Sequence, residues 1–585
     1  MDKGYTRNLT RKRISWLKNG VYMVQEADTP HGIRGYGADT RETEKYFREG
    51  RSTATLDRLQ AAGVNMIMLN VHCSRGLENE REQVESARAF AEEIHARGMK
   101  VGAYVQTMGL IDTAAFLMEQ PNARLWLQIE ENGQHPTYYN SYQFNVFCLN
   151  NEEAIQYFEK LLTVAVRDVK ADLVFLDNYG YYSYSCICNN CERAFREYLE
   201  AKYPASEARL ERFSMPSVEY VEPPPFRVLG GNAFGPWEQS LGRLVRDPVQ
   251  QEWIDFRCHR LGEVSERLNK CVKKWNPDAA FVPNVPYVGP VILNNALFHG
   301  AWPTKIYPHA DVITAECGMP PHLDEHGVVR GRVPYLKIAK AFDCPGLVHY
   351  IGRRQHFTPL AMVETMVYGN APNEDVGDIH FSSFPENCKK YPDFYKEHID
   401  LYRDAKTAAD VALLYSYTSL SYITGSPLHS LRQFEQVLFQ EKIPYDVIFD
   451  ENLDSISNYP VLALPNVASM SEEQVKQVSD YVLKGGGVVA TDQTSLLDDR
   501  LRRWRGRWFP EDTKPTYALG EALSINWPEK GIIKANVGAG RLAVVARIIP
   551  GSEEASETVI QQEGERRLRH GETPTARHSF GPPMP

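Results

Sequence analysis

The sequence predicts an α/β protein in two parts, a (β/α)8 barrel followed by a smaller doubly wound α/β domain, on three observations. Between residues 20 and 400, short β-branched or apolar runs alternate with longer segments of helical period, as repeated βα units around a parallel sheet require. Eight such runs fall within about 400 residues, the number that closes a barrel. A second alternation of the same kind begins near residue 408.

The eight expected strands are VYMVQ (21–25), VNMIMLNV (64–71), KVGAYVQ (100–106), DLVFLD (172–177), AAFVPNV (279–285), DVITAE (311–316), GLVHYIG (346–352) and GDIHFSS (377–383). Helical period is clear between them: Ala87, Phe90, Ala91 and Ile94 share one face, as do Ile155, Phe158, Leu162 and Ala165 after Asn151. An open doubly wound sheet is the other arrangement of such units. It wants a glycine-rich turn after the first strand, and QEADTPHGIRGYG is a poor one. The longest insertion, 204–250, contains MPSVEYVEPPPFRVLGGNAFGP and reads as an ordered loop over one barrel face.

The second part reads DVALLYS, a helix around SLRQFEQVLFQEK, YDVIFDENL, YPVLALPNV, a helix opened by SMSEEQVKQVSDYVLKGG, then GVVATD and GRLAVVARIIP. The Ser469 to Glu472 spacing offers a capping box for the last long helix. Gly485, Gly486 and Gly487 follow a helix and precede a strand, the reverse of a phosphate loop, and read as a helix end and turn. The expected division is 1–405 for the barrel and 406–550 for the second domain, with a polar, disordered tail over 551–585.

Bulk properties narrow the function. With 43% hydrophobic and 24% charged residues the chain has the makeup of a globular protein, and its net charge of −10 argues against nucleic acid or an anionic membrane as the main partner. The basic start lacks the apolar stretch of a secretory signal, and no run of eighteen apolar residues occurs, so a cytoplasmic location is expected. Most of the ten cysteines are isolated, as reduced buried thiols usually are.

Only Cys186, Cys188 and Cys191 are patterned. Their C-x-C-x2-C spacing, just past the fourth strand and just before the helix ERAFREYLEAKY, lets three thiolates converge on one zinc ion. A structural site needs a fourth ligand, for which Cys148 is the best placed, ahead of Cys73 and His72. Three incidental thiols are the bland alternative. A catalytic zinc is the poorest reading, because several thiolates quench the Lewis acidity that activating water needs.

Barrel chemistry takes place at the C-terminal ends of the strands. The ionisable groups there are Glu26 and Asp28, His72, Asp177, Glu316, His349 and Arg353, and Asp378 or His380. Two carboxyls are what glycoside hydrolysis requires, one to protonate the leaving oxygen and one to attack or to activate water. Asp177 and Glu316, ending strands four and six, are the first pair. Tyr179, Tyr181, Tyr182 and Tyr184 follow Asp177, and of these Tyr179 is expected to offer its ring to a sugar. Asn70, His72, Tyr104, Asn178, Asn284, His349 and Arg353 are further candidates for binding substrate hydroxyls or a carboxylate.

The segment LDNYGYYSYSCICNNCERAFREYL resembles glycoside hydrolase family 42, β-galactosidases built on a TIM barrel followed by a trimerisation domain, in which a D-N-E-Y-G strand end is followed by C-x-C-x2-C-x3-F. FCLNNEEAIQYF resembles the segment that carries that family's fourth zinc ligand, which implies the role for Cys148, and KIPYDVIFDENLDSISNYPVLALPNVASMSEEQVKQVSDYVLKGGGVVATD resembles the trimerisation domain. The family's acid, the Glu of Asn-Glu-Tyr, is missing from Asp177-Asn178-Tyr179, and its nucleophile is missing from GLVHYIGRRQ. An Asp nucleophile on strand four is instead similar to the α-galactosidase and α-fucosidase groups.

These readings predict a retaining, exo-acting glycosidase of short oligosaccharides or glycosides, with Asp177 as nucleophile and Glu316 as general acid/base. A structural zinc is held by Cys148, Cys186, Cys188 and Cys191, and no organic cofactor is expected. The resemblance implies a homo-oligomer, with a trimer as its form. The competing reading from another class is a barrel that binds carbohydrate or supports an assembly without turnover. A glutamine amidotransferase relationship of the second domain would need a nucleophilic cysteine, and none follows position 388.

Overall fold

The computed structural model describes residues 14–546 apart from 27–28, 30–39, 107–111, 138–143, 182–185, 226–241, 286–294, 318–320, 325–326, 328, 351–358, 370–373, 379–388, 404 and 505–514. Eight parallel strands follow the predicted sequence: β1 (Tyr22–Gln25), β2 (Met66–His72), β3 (Lys100–Gln106), β4 (Leu173–Asp177), β5 (Ala280–Pro283), β6 (Ile313–Cys317), β7 (Gly346–Tyr350) and β8 (Glu374–Asp378). Their order is β5-β4-β3-β2-β1-β8-β7-β6. The two ends of this order meet: the Asp311 amide donates to the Phe281 carbonyl at 2.8 Å, and the Thr314 hydroxyl donates to Asn284 Oδ1 at 2.8 Å. The sheet therefore closes as a TIM barrel. Strands covered on both faces read as continuous apolar runs, and every residue of β2 is buried.

Two corrections concern elements. The eighth strand begins three residues before the predicted GDIHFSS, at Glu374, where pairing with Tyr22 and Val348 fixes its register. The insertion over 204–250 is not all loop. It starts with a helix, Ser206–Phe213, and ends in Gly242–Leu244, which pairs antiparallel with Ile423–Gly425 of the second part. Gly242 (φ 93°) is required there, since a Cβ would lie 2.0 Å from the Thr424 carbonyl oxygen.

The second sheet comprises β9 (Val411–Tyr415), β10 (Tyr445–Phe449), β11 (Val461–Leu464), β12 (Gly487–Thr491), β13 (Gly531–Val537) and β14 (Gly540–Ala546), ordered β10-β9-β11-β12-β14-β13. All but β13 run parallel, which gives the doubly wound pattern with an antiparallel hairpin at one edge. The capping box of its last long helix, Glu472–Leu483, is formed by Ser471 and Gln474, two residues later than predicted. Ser469 instead donates its hydroxyl to the Asp498 carbonyl. Gly485 (φ 114°) ends that helix as expected. The tail over 551–585 lies outside the described residues.

The two parts are joined by polar contacts as well as the ribbon. Asp255 Oδ1 accepts the hydroxyls of Tyr417 and Tyr422, each at 2.6 Å, and Lys337 Nζ donates to the Tyr445 carbonyl at 2.6 Å. No described helix is long and apolar enough to cross a membrane.

Candidate active site and cysteine centre

The fourth strand ends differently at its two tips. At the N-terminal tip, Asp172 is ion-paired with Lys100 (2.7 Å) and hydrogen-bonded with His95 (2.9 Å), contacts that tie down the barrel floor. At the C-terminal tip, Asp177 is half-buried and held by neutral donors alone. The Tyr104 hydroxyl donates to Oδ2 at 2.5 Å, Asn178 Nδ2 donates to the same oxygen at 2.7 Å, and Asn284 Nδ2 donates to Oδ1 at 2.9 Å. Asn284 is itself oriented by Thr314 on β6, so one amide spans from β4 to β6. Directly after Asp177 the chain turns left-handed at Asn178 (φ 54°), a conformation Asn tolerates better than most residues. Gln106 completes the set: its Oε1 accepts from Asn178 Nδ2 at 3.3 Å and lies 3.0 Å from the Tyr104 hydroxyl.

Of the predicted site residues, the structure thus brings Asp177, Tyr104, Asn178 and Asn284 together. Glu316 lies on β6 and His349 on β7, opposite each other in register, with only their backbone described. Asp378 ends β8, again as backbone; Asp28, Arg353 and His380, with Tyr182 and Tyr184, lie outside the described residues. Glu26 proves structural, since Arg51 grips both of its oxygens (2.5 and 3.0 Å) and the Asn70 amide donates to it.

Two expectations are corrected. Tyr179 does not offer its ring to a sugar: it is fully buried, its hydroxyl lies 3.1 Å from Ser265 Oγ, and burial pushes the phenol up. His72 is also enclosed rather than open to the mouth. Its Nε2 lies 3.4 Å from Glu80, its Nδ1 lies 3.3 Å from the Gln106 carbonyl, and burial pushes its pKa down to about 4. Sequence reasoning missed Gln106, Glu80 and Thr314. Gln106 ends KVGAYVQ and was open to the rule that found Tyr104, whereas Glu80 and Thr314 are neither at strand ends nor in a motif. Burial raises the Glu80 pKa to about 8 although the Cys73 and Arg75 amides donate to its carboxyl.

Behind this shell the chain passes into a second polar centre. Cys148, Cys186, Cys188 and Cys191 are buried, with all four sulfurs within 4.8 Å of one another. Cys148 Sγ lies 3.5 Å from Cys188 Sγ and 3.4 Å from Cys191 Sγ. Zinc–sulfur bonds of about 2.3 Å make a tetrahedron with edges of about 3.8 Å, so the four atoms have the spacing of a ligand set. Amide donors already face the sulfurs: Ile129 N to Cys186 (3.4 Å), Asn150 N to Cys148 (3.4 Å) and Asn150 Nδ2 to Cys191 (3.1 Å). Such N–H···S bonds support thiolates. The donor set fits a soft divalent cation, and Cys148 closes it as the resemblance implied. The cluster joins two chain segments, since Cys191 lies in the helix Asn189–Lys202 and Cys148 comes just before the helix Glu152–Thr163.

Comparison with known proteins agrees with this architecture. A family model described as the β-galactosidase trimerisation domain matches residues 409–516. The chain is a distant relative of the family-42 β-galactosidases. Among solved structures, the β-galactosidase of Bacillus circulans sp. alkalophilus superposes with a TM-score of 0.64 at 14% identity, covering 93% of this chain and 89% of that one. The cold-adapted β-galactosidase of Rahnella sp. R3 gives 0.65 at 12% identity, covering 94% and 89%. An α-L-fucosidase from Paenibacillus thiaminolyticus gives 0.51 at 15% identity, covering 81% and 64%. At these identities the likeness is one of fold. Among curated proteins, the β-galactosidase LacZ of Lactobacillus acidophilus is 20% identical over 378 residues, a match that spans 58% of this chain and only 55% of that relative.

Proposed function

We propose that this family-42 relative is a retaining glycoside hydrolase, with Asp177 as nucleophile and Glu316 as general acid/base. The observation that carries the proposal is the Asp177 carboxyl itself. It stands at the C-terminal tip of a barrel strand, oriented on both oxygens by Tyr104, Asn178 and Asn284, and among the described residues no cationic side chain pairs with it. A nucleophile needs that arrangement: charge retained, direction fixed, and donors that shift with the electrons as the oxygen bonds to the anomeric carbon. The two-residue period of a strand puts positions 314 and 316 of β6 on one face, and Thr314 already reaches the Asn284 that holds Asp177. β4 and β6 are next-but-one strands around the barrel, and retaining enzymes hold their two carboxyls roughly 5 Å apart.

The division of labour is a catalytic barrel over 1–405 and a trimerisation-like domain over 406–550, assembling as a homotrimer in the cytoplasm on small imported glycosides. Cys148, Cys186, Cys188 and Cys191 hold a structural zinc, which when bound neutralises the thiolates and fixes the loop behind Asp177. No organic cofactor takes part.

A screen of aryl α- and β-glycosides against the wild-type and Asp177→Asn proteins tests the reading. Turnover of at least one glycoside, lost in the variant while fold and metal content persist, is expected. Activity that survives Asp177→Asn overturns the assignment, and binding of sugars without any turnover favours the carbohydrate-binding alternative.

A further inference from the structure

Arg257 has no visible counterpart for its charge. It is fully buried on the long helix Pro248–Trp275. Its guanidinium makes one hydrogen bond, from Nη2 to the Leu297 carbonyl, while Nε and Nη1 have no partner and no carboxylate pairs with it among the described residues. Burying a guanidinium without a counter-charge is strongly unfavourable. Two rings contact it instead, Tyr181 at 5.5 Å and Trp253 at 5.8 Å.

Both rings lead to the cysteine centre. Trp253, one helical turn before Arg257, packs in the same apolar cluster as all four cysteines and meets Phe195 edge-on at 5.0 Å, and Phe195 is one turn after Cys191. Tyr181 comes five residues before Cys186, and its own hydroxyl is buried without a partner. Burial pushes the guanidinium down, and negative charge on neighbouring groups, Cys191 among them, pulls it back.

We propose that Arg257 is the buried counter-charge to the net negative charge of the cysteine–metal centre, an inference that rests on the metal reading above. Four thiolates around a dication carry a net charge of about −2. A guanidinium one aromatic layer away offsets part of that charge in a region that excludes water. Tyr181 and Trp253 lie against the guanidinium, and Trp253 also packs in the cluster that holds the four cysteines, so the two charges face each other in a buried region where their attraction is screened little. Arg257 is a positioning residue for the metal centre and touches no substrate.

The test uses the full-length, zinc-loaded chain, its metal content measured against rising EDTA and falling pH. Arg257→Met is expected to release zinc roughly tenfold more readily and at higher pH than wild type, with Arg257→Lys restoring most of the difference. Should Arg257→Met fail to fold, Arg257→Gln, which keeps a donor for Leu297, is expected to show the same loss. The thermal penalty of the substitution should be greater in the loaded protein than after metal removal. Unchanged release curves in the Met or Gln variant, or equal penalties with and without metal, overturn the inference. A wild-type chain that holds no zinc removes the metal reading itself.

Discussion

The carboxyl at Asp177 and the cysteine centre, three of whose four sulfurs follow it within fifteen residues, are built on opposite principles. Around Asp177, one half-exposed carboxyl is oriented by neutral donors, Tyr104, Asn178 and Asn284. In the cysteine cluster, four buried sulfurs converge within 4.8 Å of one another, a set that could hold a cation. On the proposed reading, the first arrangement presents a reactive carboxyl and the second a structural metal centre.

Substitutions can break this contrast. The largest effect is expected from Asp177→Asn, which should lower glycoside turnover on the order of 10³-fold or more while metal content and melting temperature stay near those of wild type. Cys148→Ser should do the reverse, losing zinc and lowering the melting temperature by roughly 5–10 °C, as read by metal analysis and calorimetry. Between them, Asn284→Ala should cost about ten- to a hundredfold in kcat with little change in metal binding.

Two smaller effects sharpen the boundary. Glu80 is a third acid near the mouth, and burial rather than chemistry explains its raised pKa of about 8. Between its ordinary value and 8 the folded protein holds a proton that the unfolded chain releases, so its contribution to stability is complete at low pH and is lost as pH rises through 8. The melting temperature of Glu80→Gln relative to wild type should therefore climb between pH 5 and pH 8. Tyr179→Phe should cost about 1 kcal/mol of stability and leave KM unchanged, since its hydroxyl serves Ser265 and not a sugar.

Which parts were legible in the sequence follows from the range of the interactions. Apolar runs such as MIMLNVH are decided by burial on both faces, which composition alone reports, so the strands and both sheets were readable. The cysteine ligands were readable because three of them sit within six positions, and Cys148 came with the family resemblance. Strand eight shifted because pairing with β1 and β7, not its own alternation, sets its start. The capping box shifted because two serines stood in reach of the same helix and only the geometry at Ser471 closes it. Tyr179 was misplaced because aromatic residues at a strand tip look alike whether they face solvent or, as here, the helix that carries Ser265. Arg257, Glu80 and Thr314 carried no local signal, since their roles depend on neighbours brought together by the fold.

The central claim is that Asp177 forms the covalent intermediate. Once the screen has identified a substrate, the matching 2-deoxy-2-fluoroglycosyl fluoride, which slows the second step, should trap that intermediate for peptide mass analysis. The glycosyl mass is expected on the peptide that contains Asp177. Labelling of a different carboxyl, or inversion at the anomeric carbon with no label on the protein, would contradict it.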